Sequence, residues 1–160
     1  MRILFVHCFI FCITISACDK SKPDEDDYVI NTGQALPSIS YLALGDSYTI
    51  GEAVDSTQSW PLQLADTLRE AYNLQVNKPT IIATTGWTTD ELQRGIEKAG
   101  LEEKYELISL LIGVNNQYRG YEFKQFEEEY EALINWAIQH SLYGASGIFA
   151  VSIPNYGVTP

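Results

Sequence analysis

The tripeptide Gly45-Asp46-Ser47 places a serine where an apolar segment gives way to a polar loop. The apolar segment, residues 39–44, is typical of a buried parallel strand, and such strands deliver functional residues at their C-terminal ends. Ser47 is therefore a candidate nucleophile. The alternative for the same residues is a plain turn, in which Asp46 and Ser47 bond to their own backbone.

Two further polar stretches follow apolar segments in the same way. They are Thr85-Gly86-Trp87-Thr88 and Gly113-Val114-Asn115-Asn116. If all three segments are parallel strands, the three polar stretches lie at one edge of one sheet. Taken singly, Gly86 could be a turn glycine, and Asn115 and Asn116 could be Asx-turn residues.

The elements that must position these residues alternate between strand and helix. Apolar and β-branched runs predict four strands, at residues 39–44, 80–84, 105–112 and 147–153. Helix signals predict three helices. The first is opened by Ser59 as N-cap and has Leu64, Leu68, Ala71 and Tyr72 at helical spacing. The second runs from the capping box Thr88/Glu91 to Gly100, and the third covers residues 121–142 and is terminated by Gly144.

This alternation predicts an α/β domain over residues 37–160 with a parallel sheet. The third strand is apolar throughout, which indicates helices on both faces of the sheet. The expected architecture is a three-layer, flavodoxin-like fold. On the third predicted helix, Glu127, Glu128, Glu129 and Glu131 lie largely off the apolar face and are interpreted as a solvated surface.

The N-terminus has the features of a bacterial lipoprotein leader. Arg2 precedes an apolar segment, residues 3–15, that is too short for a comfortable membrane span. Ile15-Ser16-Ala17-Cys18 resembles a lipobox, so residues 1–17 are predicted to be a signal peptide and Cys18 the lipidated residue. Residues 18–36 are predicted to be a disordered tether. We expect a cell-envelope protein held on a membrane by a lipid anchor.

Composition narrows the other possibilities. The formal net charge is −11, which argues against a nucleic-acid partner because no basic surface is available for phosphates. No cysteine follows Cys18, so neither a disulfide framework nor a cysteine metal site is possible beyond it. No cofactor or metal is expected.

The three polar stretches together resemble the SGNH hydrolases, the GDSL esterases and lipases, which carry Ser, Gly and Asn in this order on three such loops. The Gly-x-Ser-x-Gly elbow of α/β hydrolases is not matched, because Thr49 replaces its second glycine. The resemblance implies a carboxylic ester hydrolase in which Ser47 attacks the ester carbonyl. It also implies that the backbone N–H groups of Ser47 and Gly86 and the Asn115 amide bind the oxyanion. The implied substrate is a small acyl ester of a glycan or lipid.

The sequence departs from the family pattern in two places. Asn116 stands where the family usually has Asp, and the Asp-x-x-His motif that supplies the base is not found. His140, in the last turn of the third predicted helix, is interpreted as a partner of that helix terminus. We therefore expect a chain that stops before the motif, without the last strand and helix, and that is inactive as it stands.

The missing base motivates an alternative of another class. In this second hypothesis the protein is a non-catalytic envelope lipoprotein that binds a glycan or a partner at the same edge. Trp60, Trp87 and Tyr118 would then supply stacking surfaces, although aromatic residues more often pack in a core.

Overall fold

The computed structural model describes residues 37–153, which belong to one compact unit of the chain. Their core is a parallel sheet with strand order β2-β1-β3-β4. The strands are β1 (Tyr41–Gly45), β2 (Thr80–Ala83), β3 (Leu107–Leu111) and β4 (Ile148–Ala150). This order confirms the flavodoxin-like arrangement predicted for these four strands. The leader, Cys18 and the tether lie outside the described residues.

Five α-helices connect the strands within the described residues. They are α1 (Ser47–Ile50), α2 (Trp60–Tyr72), α3 (Thr89–Ala99), α4 (Val114–Tyr118) and α5 (Phe123–His140), with short 3-10 turns at Ser56–Gln58 and Gly144–Gly147. None of the helices between residues 37 and 153 combines the length and the apolar character that crossing a bilayer requires.

The alternating side chains of β1 build a separate core on each face of the sheet. Leu42 and Leu44 are fully buried in a cluster with residues of α3 and α5. Tyr41 and Ala43 point the other way, into a cluster with α2. Because successive strand residues face opposite sides, one five-residue strand anchors helices on both sides and gives the three predicted layers.

Some predicted boundaries were wrong. The last helix ends at His140 rather than at Gly144, which instead begins a 3-10 turn with a φ of 57°. Ala71 and Tyr72 are exposed, since the buried stripe of α2 runs through Pro61 and Ala65 instead. The fourth strand covers only three of the seven predicted residues. The sequence also gave no sign of α1 and α4, whose four and five residues are too few for an apolar period to show.

Candidate active site

Ser47 is the first residue of α1 and follows directly on β1. Asp46 is the N-cap of this helix, and its Oδ1 accepts a hydrogen bond from the Tyr48 backbone N–H at 3.0 Å. The helix packs tightly on the strand end, since a Cβ on Gly45 would collide with the Thr49 side chain and the Leu111 carbonyl. The local Asx bond therefore leaves Ser47 half-buried at the sheet edge, where α1 and the end of β1 hold it in place.

The Asp46 carboxyl, on the residue that precedes Ser47, is fully buried. Its Oδ2 has no hydrogen-bond partner among the described residues. Burial raises the pKa of Asp46, an effect that the bond from the Tyr48 N–H partly opposes. An ionised Asp46 therefore costs folding free energy at neutral pH.

Gly86 and Asn115 lie on the loops that follow β2 and β3. Gly86 has a φ of 83°, which glycine adopts without strain, and its carbonyl accepts a hydrogen bond from Arg119 Nη2 at 2.7 Å. Asn115 is in α4, and its Nδ2 donates to the Trp87 carbonyl at 2.9 Å. The amide nitrogen carries two hydrogens, and this bond uses one of them. Asn115 is thus oriented by the loop that contains Gly86.

Hydrogen bonds join all three loops at the edge of the sheet. Thr85 after β2 donates its hydroxyl to Glu52, just beyond α1. The Trp87 carbonyl bonds to Asn115 after β3. The structure therefore places Ser47, Gly86 and Asn115 at the C-terminal ends of neighbouring strands, on loops that bond to one another.

Asn116 forms a chain of hydrogen bonds that the sequence analysis did not find. Its side chain is 2% exposed, its Oδ1 accepts from the Thr89 N–H at 3.1 Å, and its Nδ2 donates to Thr89 Oγ1 at 2.7 Å. The Thr89 hydroxyl in turn donates to Glu129 on α5. Glu129 is therefore half-buried and bonded, and its interpretation as part of a solvated surface was wrong. No spacing rule reveals such a chain, because its members lie far apart in sequence.

Arg119 makes a second set of hydrogen bonds that hold the site together, and no sequence pattern predicts them. Besides its bond to Gly86, its Nη1 donates to Glu91 Oε2 at 3.2 Å. Glu91 also accepts the Thr88 backbone N–H at 3.0 Å, as the predicted capping box requires. The bond from Thr88 and the charge of Arg119 lower the pKa of Glu91. Arg119 thus links the loop after β2 to the start of α3.

His140 lies at the opposite end of the sheet from Ser47. Its carbonyl accepts from the backbone N–H of Tyr105, which precedes β3, and the first residue of β3 pairs with Tyr41 at the start of β1. Ser47 follows the end of β1, so the five residues of that strand, about 16 Å, separate the two. The His140 ring stacks on Trp136 with centroids 3.8 Å apart, and its Nδ1 bonds to the Trp136 carbonyl at 2.8 Å. His140 is not the base for Ser47.

The three aromatic residues singled out in the sequence have different surroundings. Trp87 is half-buried against the core and fills the space above Gly95. Trp60 packs edge-on against Phe149, with ring centroids 6.3 Å apart. Tyr118 is 77% exposed. Trp87 is therefore a packing residue. No cluster of three or more potential metal ligands occurs between residues 37 and 153.

Comparison with solved structures identifies proteins with a similar fold. AlinE4, an SGNH-hydrolase family esterase, is 22% identical with a TM-score of 0.59, and the match covers 66% of this chain and 56% of AlinE4. TesA is 21% identical with a TM-score of 0.62, covering 74% and 64%. Axe2, an acetylxylan esterase from Geobacillus stearothermophilus, is 18% identical with a TM-score of 0.54, covering 70% and 58%. The chain thus spans less than two thirds of each.

No significant match was found among curated proteins. A family model does match, however, and it extends over residues 43–160, which is well over half of the chain and includes all three polar loops. The predicted resemblance is therefore confirmed: the chain belongs to the GDSL-like lipase/acylhydrolase family.

Proposed function

We propose that this protein hydrolyses carboxylic esters through Ser47. The Ser47 Oγ attacks the carbonyl carbon, the bond from that carbon to the alcohol oxygen breaks, and the alcohol leaves with the proton that Ser47 gives up. Water then cleaves the acyl-serine ester, which releases the acid and restores the hydroxyl. Family membership supports a reaction of this class.

The oxyanion of this reaction is assigned to three donors. They are the backbone N–H of Ser47, the backbone N–H of Gly86 and the Asn115 side-chain amide. The observation that carries the proposal is the bond from Asn115 Nδ2 to the Trp87 carbonyl, because it fixes the amide on the loop of Gly86. Donors held in place before the reaction need no reorganisation as charge develops, which is why they lower the barrier.

Substitutions at the serine and the amide test the proposal. In a form of the protein that includes a base for Ser47 and hydrolyses an aryl acetate, Ser47→Ala should abolish turnover, and Asn115→Ala should lower kcat by about 10² to 10³ with little change in KM. Asn77→Ala, at an exposed position before β2, is the matched control and should leave kcat unchanged. Equal turnover by the Ser47→Ala variant would refute the nucleophile assignment.

The same assay, carried out as a function of pH, characterises the group that accepts the proton from Ser47. The only histidine between residues 37 and 153 is His140, at the far end of the sheet. The pH dependence of kcat/KM gives the pKa of the base in the free enzyme. A form of the protein that includes an Asp-x-x-His motif and binds esters but turns none over at any pH would instead support the non-catalytic hypothesis.

We also propose that the protein is a bacterial envelope lipoprotein attached through Cys18. The support is the lipobox-like tetrad that ends at this residue. Labelled fatty acid should enter the protein in bacterial cells and should not enter the Cys18→Ser variant. Cys12→Ser, within the predicted leader, is the control. Equal labelling of the Cys18→Ser variant would contradict the anchor.

A further inference from the structure

The end of the sheet opposite Ser47 carries a row of four residues, one ahead of each strand. The row consists of Val76, Ile39, Tyr105 and Ser141. Isolated parallel bridges join Ile39 to Val76 and Tyr105 to Ser141, and the register of β1 with β3 places Ile39 beside Tyr105. Since neighbouring strands lie about 4.8 Å apart, the row is about 14 Å long. This end of the sheet is the lower edge.

Exposed apolar side chains lie at both ends of this row. They are Tyr72, Leu74, Leu142 and Tyr143, which are 68%, 36%, 52% and 64% exposed. Leu74 comes two positions before Val76, and the Leu142 N–H donates to the Tyr105 carbonyl at 2.9 Å. Apolar side chains that are grouped at a protein surface usually mark a contact with another protein or with a membrane.

Lysines without an ion pair collect at the same edge. Every described arginine forms an ion pair, and so does Lys124. Lys78, Lys98 and Lys104 form none with the residues between 37 and 153; they lie just before β2, in the last turn of α3 and just before Tyr105. Exposed glutamates are mixed with them, so the lower edge is not a basic surface. A lysine beside apolar side chains can place its ammonium among lipid headgroups while its stem stays in apolar surroundings.

The chain that leads to the proposed lipid anchor joins the domain at the lower edge. Residue 37, the first that the structure describes, is two positions before Ile39, and the 18 residues 19–36 connect it to Cys18. A chain of that length spans at most about 65 Å, so a lipid on Cys18 keeps the domain close to the bilayer. That length permits several orientations, and the exposed side chains decide between them.

The Ser47 end of the sheet is less suited to a bilayer surface. Its exposed apolar residues include Val54 and Phe123. No unpaired lysine or arginine accompanies them within residues 37–153. Glu52 and Asp55 are exposed there, and anionic headgroups repel their carboxylates.

We propose that the lower edge rests on the membrane to which the protein is anchored, with its four exposed apolar side chains inserted among the headgroups. The inference rests on the lipid anchor at Cys18 proposed above. Ser47 follows the far end of β1, about 16 Å from the lower edge, and is directed away from the bilayer. An ester therefore reaches Ser47 from the side opposite the membrane.

Fluorescent probes at two matched positions measure this orientation. After the predicted processing the chain has no cysteine except the lipidated Cys18, so a thiol-reactive NBD probe labels only an introduced cysteine. Gln75→Cys places the probe next to Val76, and Gln58→Cys places it beside a cavity that Ser47 also lines; both positions are exposed. In vesicles of phosphatidylcholine and phosphatidylglycerol, doxyl-labelled lipids should quench the probe at position 75 and leave the probe at position 58 unquenched.

Substitutions in the apolar group test which side chains make the contact. Leu74→Ser combined with Leu142→Ser should abolish the quenching at position 75. Val54→Ser, the matched apolar control at the Ser47 end, should leave it unchanged. Quenching at position 58, with or without quenching at position 75, would overturn the proposed orientation. Self-quenching between probes at position 75 without quenching by lipid would show that a second copy of the chain covers the lower edge instead.

The anchor and the orientation fail in different ways in this experiment. A protein that does not sediment with the vesicles lacks the anchor at Cys18, and the orientation is refuted with it. A protein that sediments with the vesicles but shows no lipid quenching at position 75 keeps the anchor and refutes the orientation alone.

Discussion

Replacing Asn116 by the aspartate that the family usually carries should destabilise this protein. In the chain of hydrogen bonds from Asn116 through Thr89 to Glu129, the Thr89 hydroxyl receives a hydrogen from Asn116 and gives its own to Glu129. An aspartate has no hydrogen to give at neutral pH. Asn116→Asp therefore places two carboxylates in competition for the single Thr89 hydrogen.

The hydrogen bonds that Thr89 and Glu129 lose or keep determine how much the free energy of unfolding changes in Asn116→Asp. The Thr89 hydroxyl can turn toward the new carboxylate, which then accepts from both Thr89 groups, but Glu129 loses its charge-assisted bond at a cost of about 1.5 to 3 kcal/mol. Glu129 is half-buried and keeps the bond from Gln125 Nε2 at 2.8 Å, which limits the loss. We expect the free energy of unfolding to fall by about 2 kcal/mol, which lowers Tm by about 4 to 8 °C in a chain of this size.

Thermal and urea denaturation at pH 7 measure this change. Glu129→Gln supplies the matched control, because it removes one of the two competing charges. In a double-mutant cycle, Glu129→Gln should recover about 1 kcal/mol of the loss caused by Asn116→Asp, and this coupling free energy reports their interaction through Thr89. If Asn116→Asp unfolds at the wild-type temperature, or if the two substitutions are additive, the proposed chain of hydrogen bonds does not stabilise the protein.

Three other changes have defined outcomes. Asp46→Asn should raise Tm at pH 7, because burial raises the pKa of Asp46 and its ionised form is costly; the gain should shrink as the pH falls through the raised pKa of the folded carboxyl and vanish below about 4, the pKa of an unfolded Asp. Gly95→Ala should lower the unfolding free energy by about 1 kcal/mol, since the clash with Trp87 costs about 2 and the better helix propensity returns about 1. Arg119→Ala should lower kcat about fivefold, since the carbonyl of Gly86 loses its bond.

Each of these has a result that would contradict it. If the stabilisation by Asp46→Asn increased as the pH fell, folding would lower the pKa of Asp46 instead of raising it. Gln93→Ala, at an exposed position of α3, is the control for helix propensity. If the Gly95→Ala variant were more stable than the Gln93→Ala variant, the Trp87 side chain would be able to move aside without an energetic cost. If the Arg119→Ala variant kept the wild-type kcat, the hydrogen bond from Arg119 to the Gly86 carbonyl would make no contribution to catalysis.

The sequence predicted the fold well because the signals for it are local. The four apolar segments form strands, and the capping box at Thr88 is present, as expected. The boundary errors have local causes too. The helix that ends at His140 is followed by apolar residues, Leu142 and Tyr143, which continue the pattern even though they are exposed in the structure.

The braces of the site could not be predicted in the same way. Asn116 and Thr89 are 27 positions apart, and Thr89 and Glu129 are 40 apart. Periodicity describes one element at a time, so it assigned Glu129 to solvent from its place on α5 alone. The three loops were predicted from their position after strands; their mutual bonds depend on how the helices dock, and that is a property of the assembled fold.

The bonds between the loops after β2 and β3 also bear on how the site comes into being during folding. These two strands are not neighbours, because β1 lies between them in the sheet. The bond between Trp87 and Asn115, which are 28 positions apart, therefore spans the end of β1, and it forms only after β3 has docked. Non-local pairings of this kind, including those between parallel strands, form more slowly than the local contacts within a helix. The Asn115 amide and the loop of Gly86 consequently reach their mutual arrangement only once the sheet is assembled.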